Sequence, residues 1–200
     1  VSGTLNITST EDGIIGKDLC GVVAGDININ AGSDGIKSTY DTDTTKGNVI
    51  IEGGNITIKA SNDGIQAENI LVINDGTINI KTNNGAADTT QTHTDNMYMG
   101  RGGFGFNNNK TTTTTDDTVE SRKGIKAGNM LIINDGDITI DSDDDSVHCN
   151  SEIYIYGGTI NAATGDDGVH ADDLLTVNGG TINITQCYEG IEADDIVIND

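Results

Sequence analysis

Carboxylates are the residues of this chain whose number and spacing could do chemistry. Asp12, Asp34, Asp63, Asp145, Asp167 and Glu189 stand at one recurring position, which Lys123 interrupts, and Glu11, Asn62, Asp143, Asp144 and Asp166 flank them. A second acidic set follows a few residues later: Asp18, Glu68, Asp172 with Asp173, and Asp194 with Asp195, mixed with Asn69, Asn129, Asn150 and Ser151. Stacked at the ~4.8 Å spacing of paired strands, neighbouring carboxylates repel by roughly 3.5 kcal/mol at an effective dielectric near ~20. Such a row must be protonated, hydrogen-bonded by backbone amides, or bridged by a cation. Clustered hard oxygens suit Ca²⁺, which takes about 6–8 of them, while the softer ligands zinc prefers are nearly absent. The densest patch, Asp143-Asp144-Asp145 beside Asp166-Asp167 and Glu189, is where calcium is expected first. The alternative is that each Asp-Gly only serves corner geometry, its side chain capping turn amides.

Other groups widen the choice. Arg122, Lys123 and Lys126 would suit a lyase, in which calcium acidifies a uronate and a basic side chain removes the proton. The pairing of Asp144-Asp145 with His148 and of Asp166-Asp167 with His170 has a superficial likeness to glycosidase carboxylates. No Gly-His-Gly or Arg-x-Lys accompanies it, as polygalacturonases would show. His148 and His170 share a column with Lys37, Gln66, Lys126 and Glu192, and are expected to be solvated members of a surface ladder. Tyr154 and Tyr156 point outward near Val72 and Ile132, either as a modest sugar-stacking surface or as packing under a loop.

The elements that must position these groups are written as a repeat. Gly136-Asp137-Ile138-Thr139-Ile140 leads to Asp145-Ser146-Val147-His148-Cys149 and then Ile153-Tyr154-Ile155; the same pattern returns 22 residues later. Glycines opening a strand recur at Gly3, Gly25, Gly54, Gly76, Gly136, Gly158 and Gly180. Each unit holds three short segments alternating apolar and polar residues, the signature of strands: Gly-x-Ile-x-Ile, Asp-Gly-Ile-x-Ala and Leu-x-Ile. Hairpins cannot bury all these columns together, whereas strands lying parallel on their equivalents one turn later bury every one. The expected fold is therefore an all-β parallel β-helix with three strands per 22-residue coil and about seven coils, roughly 34 Å long. The last unit drifts by one residue near Val197.

One domain spanning 1–200 is expected, with loop insertions at 40–47 and 86–121. The second insertion carries Tyr98, Arg101, Phe104 and Phe106 and then Thr111 to Thr115. It reads either as a low-complexity loop or as a flap bringing those four side chains over a neighbouring groove.

The bounds agree. There are 27 glycines, no proline and no tryptophan in 200 residues, and 34% hydrophobic content suits a narrow stacked interior. Without proline, every residue keeps an N–H for the ladders. A net charge of -22 argues against nucleic acid and anionic surfaces as partners, and in favour of cations or ligands reached through them. No run is long enough for a transmembrane helix, so no direct membrane insertion is expected. No signal peptide opens the chain; Val1 begins in strand-like sequence, as in a mature product or a cut-out segment. Cys20, Cys149 and Cys187 are expected as free thiols, the first two inward. Open coil ends make end-to-end self-association a further possibility.

The repeated Gly-Gly-Thr-Ile-Asn-Ile … Asp-Asp-Gly-Val/Ile-His/Glu-Ala-Asp-Asp units, here Gly157 to Asp173 and Gly179 to Asp195, resemble a known family. It is the calcium-binding, polysaccharide-binding parallel β-helix proteins of bacterial cell surfaces, similar in fold to pectate lyases. The Gly/Met-rich stretch 97–106 fits it, and the lack of an N-terminal helical cap departs from pectate lyases. The resemblance implies a right-handed coil, extracellular or cell-surface display, bound Ca²⁺, and affinity for cellulose or acidic polysaccharide such as polygalacturonate. Lyase activity would be weak or absent. Carried over to the acidic repeats, it implies calcium on Asp143, Asp144, Asp145, Asp166, Asp167, Asp172, Asp173, Asp194 and Asp195. The expected function is a non-catalytic, calcium-dependent carbohydrate-binding protein. Its rivals are a pectate lyase using Lys123, Lys126 or Arg122 as base, and a purely structural surface or filament protein.

Overall fold

A computed structural model describes residues 3–91 and 120–199. Those residues are all-β apart from one 3-10 turn at Ala86–Asp88, and every strand pairing among them is parallel. A seven-stranded sheet stacks Thr4–Ser9, Asp26–Ala31, Asn55–Ala60, Thr77–Thr82, Asp137–Ser142, Thr159–Thr164 and Thr181–Gln186 in chain order. We call it the first row. A twelve-stranded sheet holds two further rows. The second row begins at Ile14–Ile15 and Ile36–Ser38, the third at Leu19–Val22 and Asn48–Ile51. They merge because Val169–Val177 and Ile191–Ile198 each run unbroken through both rows.

Pairing places equivalent residues on one another, as in Ile78 on Ile138 and Ile138 on Ile160. The apolar half of each alternating segment therefore faces one continuous core, which includes Ile36, Val49, Ile56, Leu71, Ile125, Leu131 and Ile153. The expected drift in the last unit has two locations. Val169–Val177 loses register with Ile191–Ile198 between Ala171 and Leu174, and the first row shifts between Ala162 and Ala163. No helix among the described residues is long and apolar enough to cross a membrane.

Glycine has a steric role at the corner before the second row. A Cβ on Gly64 would stand 2.4 Å from the Ile80 Cγ2 and 2.5 Å from the Gly124 carbonyl oxygen. Gly13, Gly35, Gly124 and Gly168 meet the equivalent isoleucine in the same way. Ser146 occupies this column without glycine, and the residue in the facing position is Ala162 where the other repeats have isoleucine. The smaller neighbour leaves room for the serine, whose Oγ lies 3.2 Å from the Ser142 Oγ. The glycine that opens each first-row strand has a different reason: Gly54 and Gly76 have φ of 112° and 128°, a region costly for any side chain.

The 40–47 insertion is an ordered corner. Asp43 accepts from the Thr45 amide and hydroxyl, Lys46 pairs with Asp18 at 3.0 Å, and the Lys46 and Lys17 ammonium groups lie over the Tyr40 ring.

Ala162→Ile should lower stability by about 1–3 kcal/mol through overpacking, read from chemical denaturation. Adding Ser146→Gly should recover most of the loss; a double variant no better than the single one would separate the two positions.

Candidate functional site

The stacked corners turn sequence-distant carboxylates into one row with a division of labour between their oxygens. One oxygen of each accepts the amide of the next repeat. Asp12 Oδ1 receives Asp34 N–H at 3.0 Å, Asp34 receives Asp63 at 2.9 Å, Asp63 receives Lys123 at 2.8 Å and Asp145 receives Asp167 at 3.0 Å. Corner capping, one of the two readings of the Asp-Gly motif, is thus what these oxygens do. In Asp34, Asp63 and Asp145 the other oxygen meets a cation. Asp34 Oδ2 pairs with Lys37 at 2.6 Å, Asp63 Oδ2 lies 3.8 Å from Lys126, and Asp145 Oδ2 lies 2.8 Å from both Lys123 Nζ and His148 Nδ1. Burial raises the Asp63 carboxyl's pKa, against the opposing pull of Lys126, Ser121 and the Lys123 amide.

Lys123, the interruption in the acidic row, is the cation at its centre. Its ammonium bonds Asp144 at 2.9 Å and Asp145 at 2.8 Å. Burial alone would favour loss of its proton, but Asp145 and Asp144 outweigh that and hold it above the ordinary lysine range. Asp145 stays well below the usual carboxylate range: burial opposes this, and the His148 hydrogen bond and the Lys123 charge overcome it. A lysine held protonated is a poor general base. Arg122 is engaged as well, with Nη1 3.2 Å from Asp143 Oδ2 and 2.6 Å from Thr90 Oγ1. Asp143 also accepts from the Thr90 amide and hydroxyl, both at 2.7 Å. It therefore ties Thr90, near the start of the second insertion, to Arg122, just after its end. Lys126 donates to Ser121 at 3.3 Å.

The histidines differ from the solvated pair expected. His148 is buried, and both its ring nitrogens are used: Nδ1 lies 2.8 Å from Asp145 Oδ2 and Nε2 2.9 Å from Asn150 Oδ1. Alternation put it on the outer face, but the Asp145 and Asn150 side chains close over that face. His170 stacks on it in register, ring centroids 4.9 Å apart at 72°. His170 Nδ1 lies 3.3 Å from Asp167 Oδ2, 3.7 Å from Glu192 Oε2 and 3.8 Å from Asp145 Oδ2, and Nε2 lies 3.5 Å from Asp172 Oδ1. The Asp167 hydrogen bond leads in raising its pKa to about 9, against burial and with Asp145 and Glu192 assisting.

Of the residues expected to hold metal, Asp144, Asp145 and Asp166 bring carboxylate oxygens within 4.8 Å of one another. Asp167 groups instead with His170 and Glu192, and Asp145 also with His148 and His170. Glu189, Asp172, Asp173, Asp194 and Asp195 are exposed and join none of these groups; Asp173 accepts from Ser151 Oγ at 2.8 Å. Glu192, which joins Asp167 and His170 in one of these groups, is not among the residues the sequence singled out for metal. Its signal was present, since it puts an acid in a column otherwise carrying Lys37, Lys126, His148 and His170.

On the third-row face the Tyr154 and Tyr156 rings lie parallel within 10°, centroids 6.4 Å apart. Tyr154 Oη donates to Glu152 Oε2 at 2.9 Å, and Tyr156 is half exposed. Ile50, Val72 and Ile132 continue the Tyr154 column in register, each half-buried. The first-row face is polar and laddered: Asn28 donates to Asn6 and Asn183 to Asn161. Tyr98, Arg101, Phe104 and Phe106 lie outside the described residues.

A family model described as carbohydrate-binding domain-containing protein matches residues 1–168. No curated protein and no solved structure matches the chain significantly.

In metal-free buffer the His170 interactions predict a pH dependence of definite sign. A folded-state pKa near 9, above the ordinary histidine value of about 6.5, makes their contribution complete below pH ~6.5 and lost as pH rises through ~9. The melting temperature should fall across that window, and His170→Gln should flatten the fall; an unchanged slope in the variant would contradict it.

Proposed function

The chain belongs to the family of carbohydrate-binding domain-containing proteins over residues 1–168, and from that premise we propose that it is a non-catalytic polysaccharide-binding module displayed outside the cell or on its surface. The observation that carries the placement of the sugar is the parallel Tyr154–Tyr156 pair at the end of a partly exposed apolar column. Sugar rings present flat C–H faces, and an aromatic ring face meets them at low conformational cost. We read the three rows as a right-handed parallel β-helix of three strands per coil and about seven coils. Such a scaffold would extend the flat third-row face along a polymer. Cellulose and polygalacturonate are the polymers proposed.

Calcium would supply the link to an acidic polymer, because it bridges carboxylates of both partners without demanding a rigid geometry. Asp144, Asp145 and Asp166 are the residues that would hold it. The Lys123 ammonium already stands against two of them, so calcium there competes with a built-in cation. That competition supports calcium as a weakly held, exchangeable partner at this position. The basic residues offered for a lyase, Arg122, Lys123 and Lys126, all have carboxylates facing them, which favours binding over catalysis.

Retention on polygalacturonate and on cellulose, with calcium and with excess EDTA, tests the two halves of this reading. Tyr154→Ala with Tyr156→Ala should lose retention on both polymers by at least about tenfold. EDTA should release the protein from polygalacturonate alone. Retention that survives both aromatic substitutions would remove the tyrosines from the site, and full polygalacturonate retention in EDTA would remove calcium. Lys123→Ala should destabilise the fold on the order of 3 kcal/mol by leaving buried carboxylates unpaired. Calcium should raise the melting temperature of Lys123→Ala more than that of the unaltered protein; equal shifts would move calcium away from Asp144 and Asp145.

A further inference from the structure

Along the acidic row and its flank, every carboxylate up to Asp145 that is buried meets a lysine or arginine: Lys37 at Asp34, Lys126 at Asp63, Arg122 at Asp143, and Lys123 at Asp144 and Asp145. Asp167 breaks the rule. Where the next repeat could offer a cation in the same column, it offers Glu192. The Asp167 and Glu192 carboxyl oxygens then lie within 4.8 Å of one another, and Asp167 first, with burial second, raises the Glu192 pKa. Two acids in contact need a proton or a cation between them. Among the described residues only His170 faces them with a basic nitrogen.

The spacing is that of a coordination shell. Ligand atoms about 2.0–2.1 Å from a tetrahedral Zn²⁺ stand roughly 3.3–3.5 Å from one another. His170 Nδ1 lies 3.3 Å from Asp167 Oδ2 and 3.7 Å from Glu192 Oε2, and the three groups offer ligand atoms all within 4.8 Å of one another, so small side-chain movements bring them onto one ion. The site is reachable, since His170 and Glu192 line a surface depression with Asp172 and Asp194. An imidazole nitrogen among carboxylate oxygens selects borderline first-row cations over calcium, whose preferred shell is oxygen alone.

We propose that Asp167, His170 and Glu192 form a three-residue binding site for a first-row divalent transition-metal ion of the Zn²⁺ type. This site is separate from the oxygen-only group at Asp144, Asp145 and Asp166, and it does not depend on carbohydrate binding. The ion replaces the proton that otherwise sits on His170, and it draws the last two repeats together through side chains rather than through the backbone ladder.

The test is titration of the purified chain with Zn²⁺ against a chromophoric chelator, in the absence of any polysaccharide. One ion per chain is expected, with affinity falling at least about tenfold in His170→Ala and in Glu192→Gln. Glu192 is exposed, so its variant keeps the test valid if His170→Ala folds poorly. Cys187→Ser should bind as the unaltered protein does, and millimolar Ca²⁺ should leave the bound Zn²⁺ in place. Unchanged binding in Glu192→Gln, loss of binding in Cys187→Ser, or displacement by an equal concentration of Ca²⁺ would each overturn the assignment. Loss of polysaccharide retention would not bear on it.

Discussion

The hydrogen bond from one repeat's corner amide to the previous repeat's corner carboxylate is the interaction on which this architecture turns. Stacked parallel strands satisfy their own backbone groups, but a corner leaves amides without partners, and a buried orphan amide costs about 1–3 kcal/mol. Asp12, Asp34, Asp63, Asp145 and Asp167 each take one such amide. A carboxylate does this better than an amide side chain because a charged acceptor makes the stronger bond. The same choice leaves each acid one oxygen to spare.

That spare oxygen creates the electrical problem which the other polar residues answer. Like charges piled in a column cannot be diluted by moving apart, since the backbone ladders hold them at the strand spacing. Lysines placed one repeat away or three residues on answer it internally. Asp143 is answered by Arg122 and by the Thr90 amide and hydroxyl, which is how the second insertion is fastened at its base. Where lysine gives way to histidine and then to glutamate, protonation of His170 takes over. The charge of the row therefore becomes sensitive to solution conditions toward its C-terminal end, where the ammonium groups stop.

Much of this was legible in the sequence. Alternation of apolar residues and the 22-residue return of Ile138, Ile160 and Ile182 pointed to stacked parallel strands, and the paired register places those residues on one another. The acidic row was legible for the same reason. Its cations were harder to see, because Lys123 and Asp145 are separated by a whole repeat and look unrelated along the chain. Lys123 read as an interruption; in space it is the keystone of the row. His148 was misplaced because alternation reports which way a Cα–Cβ bond points and not what covers the ring. The exchange at Ser146 and Ala162 was hidden too, since each looks like ordinary drift until the facing positions are known.

The division between structural and available carboxylates changes what a net charge of -22 means for binding. Asp34, Asp63 and Asp143 are buried and committed to amides, hydroxyls and cationic side chains, so they cannot be offered to a partner without loosening a corner. Asp172, Asp173, Asp194 and Asp195 are exposed at the following corner, where they repel an anionic polymer unless counterions gather. The tyrosine-bearing third-row face begins beyond that corner. A polymer lying along Tyr154 would thus run beside the acidic corner rather than across it, with hydrophobic contact setting its position and the corner charge deciding which polymers are tolerated.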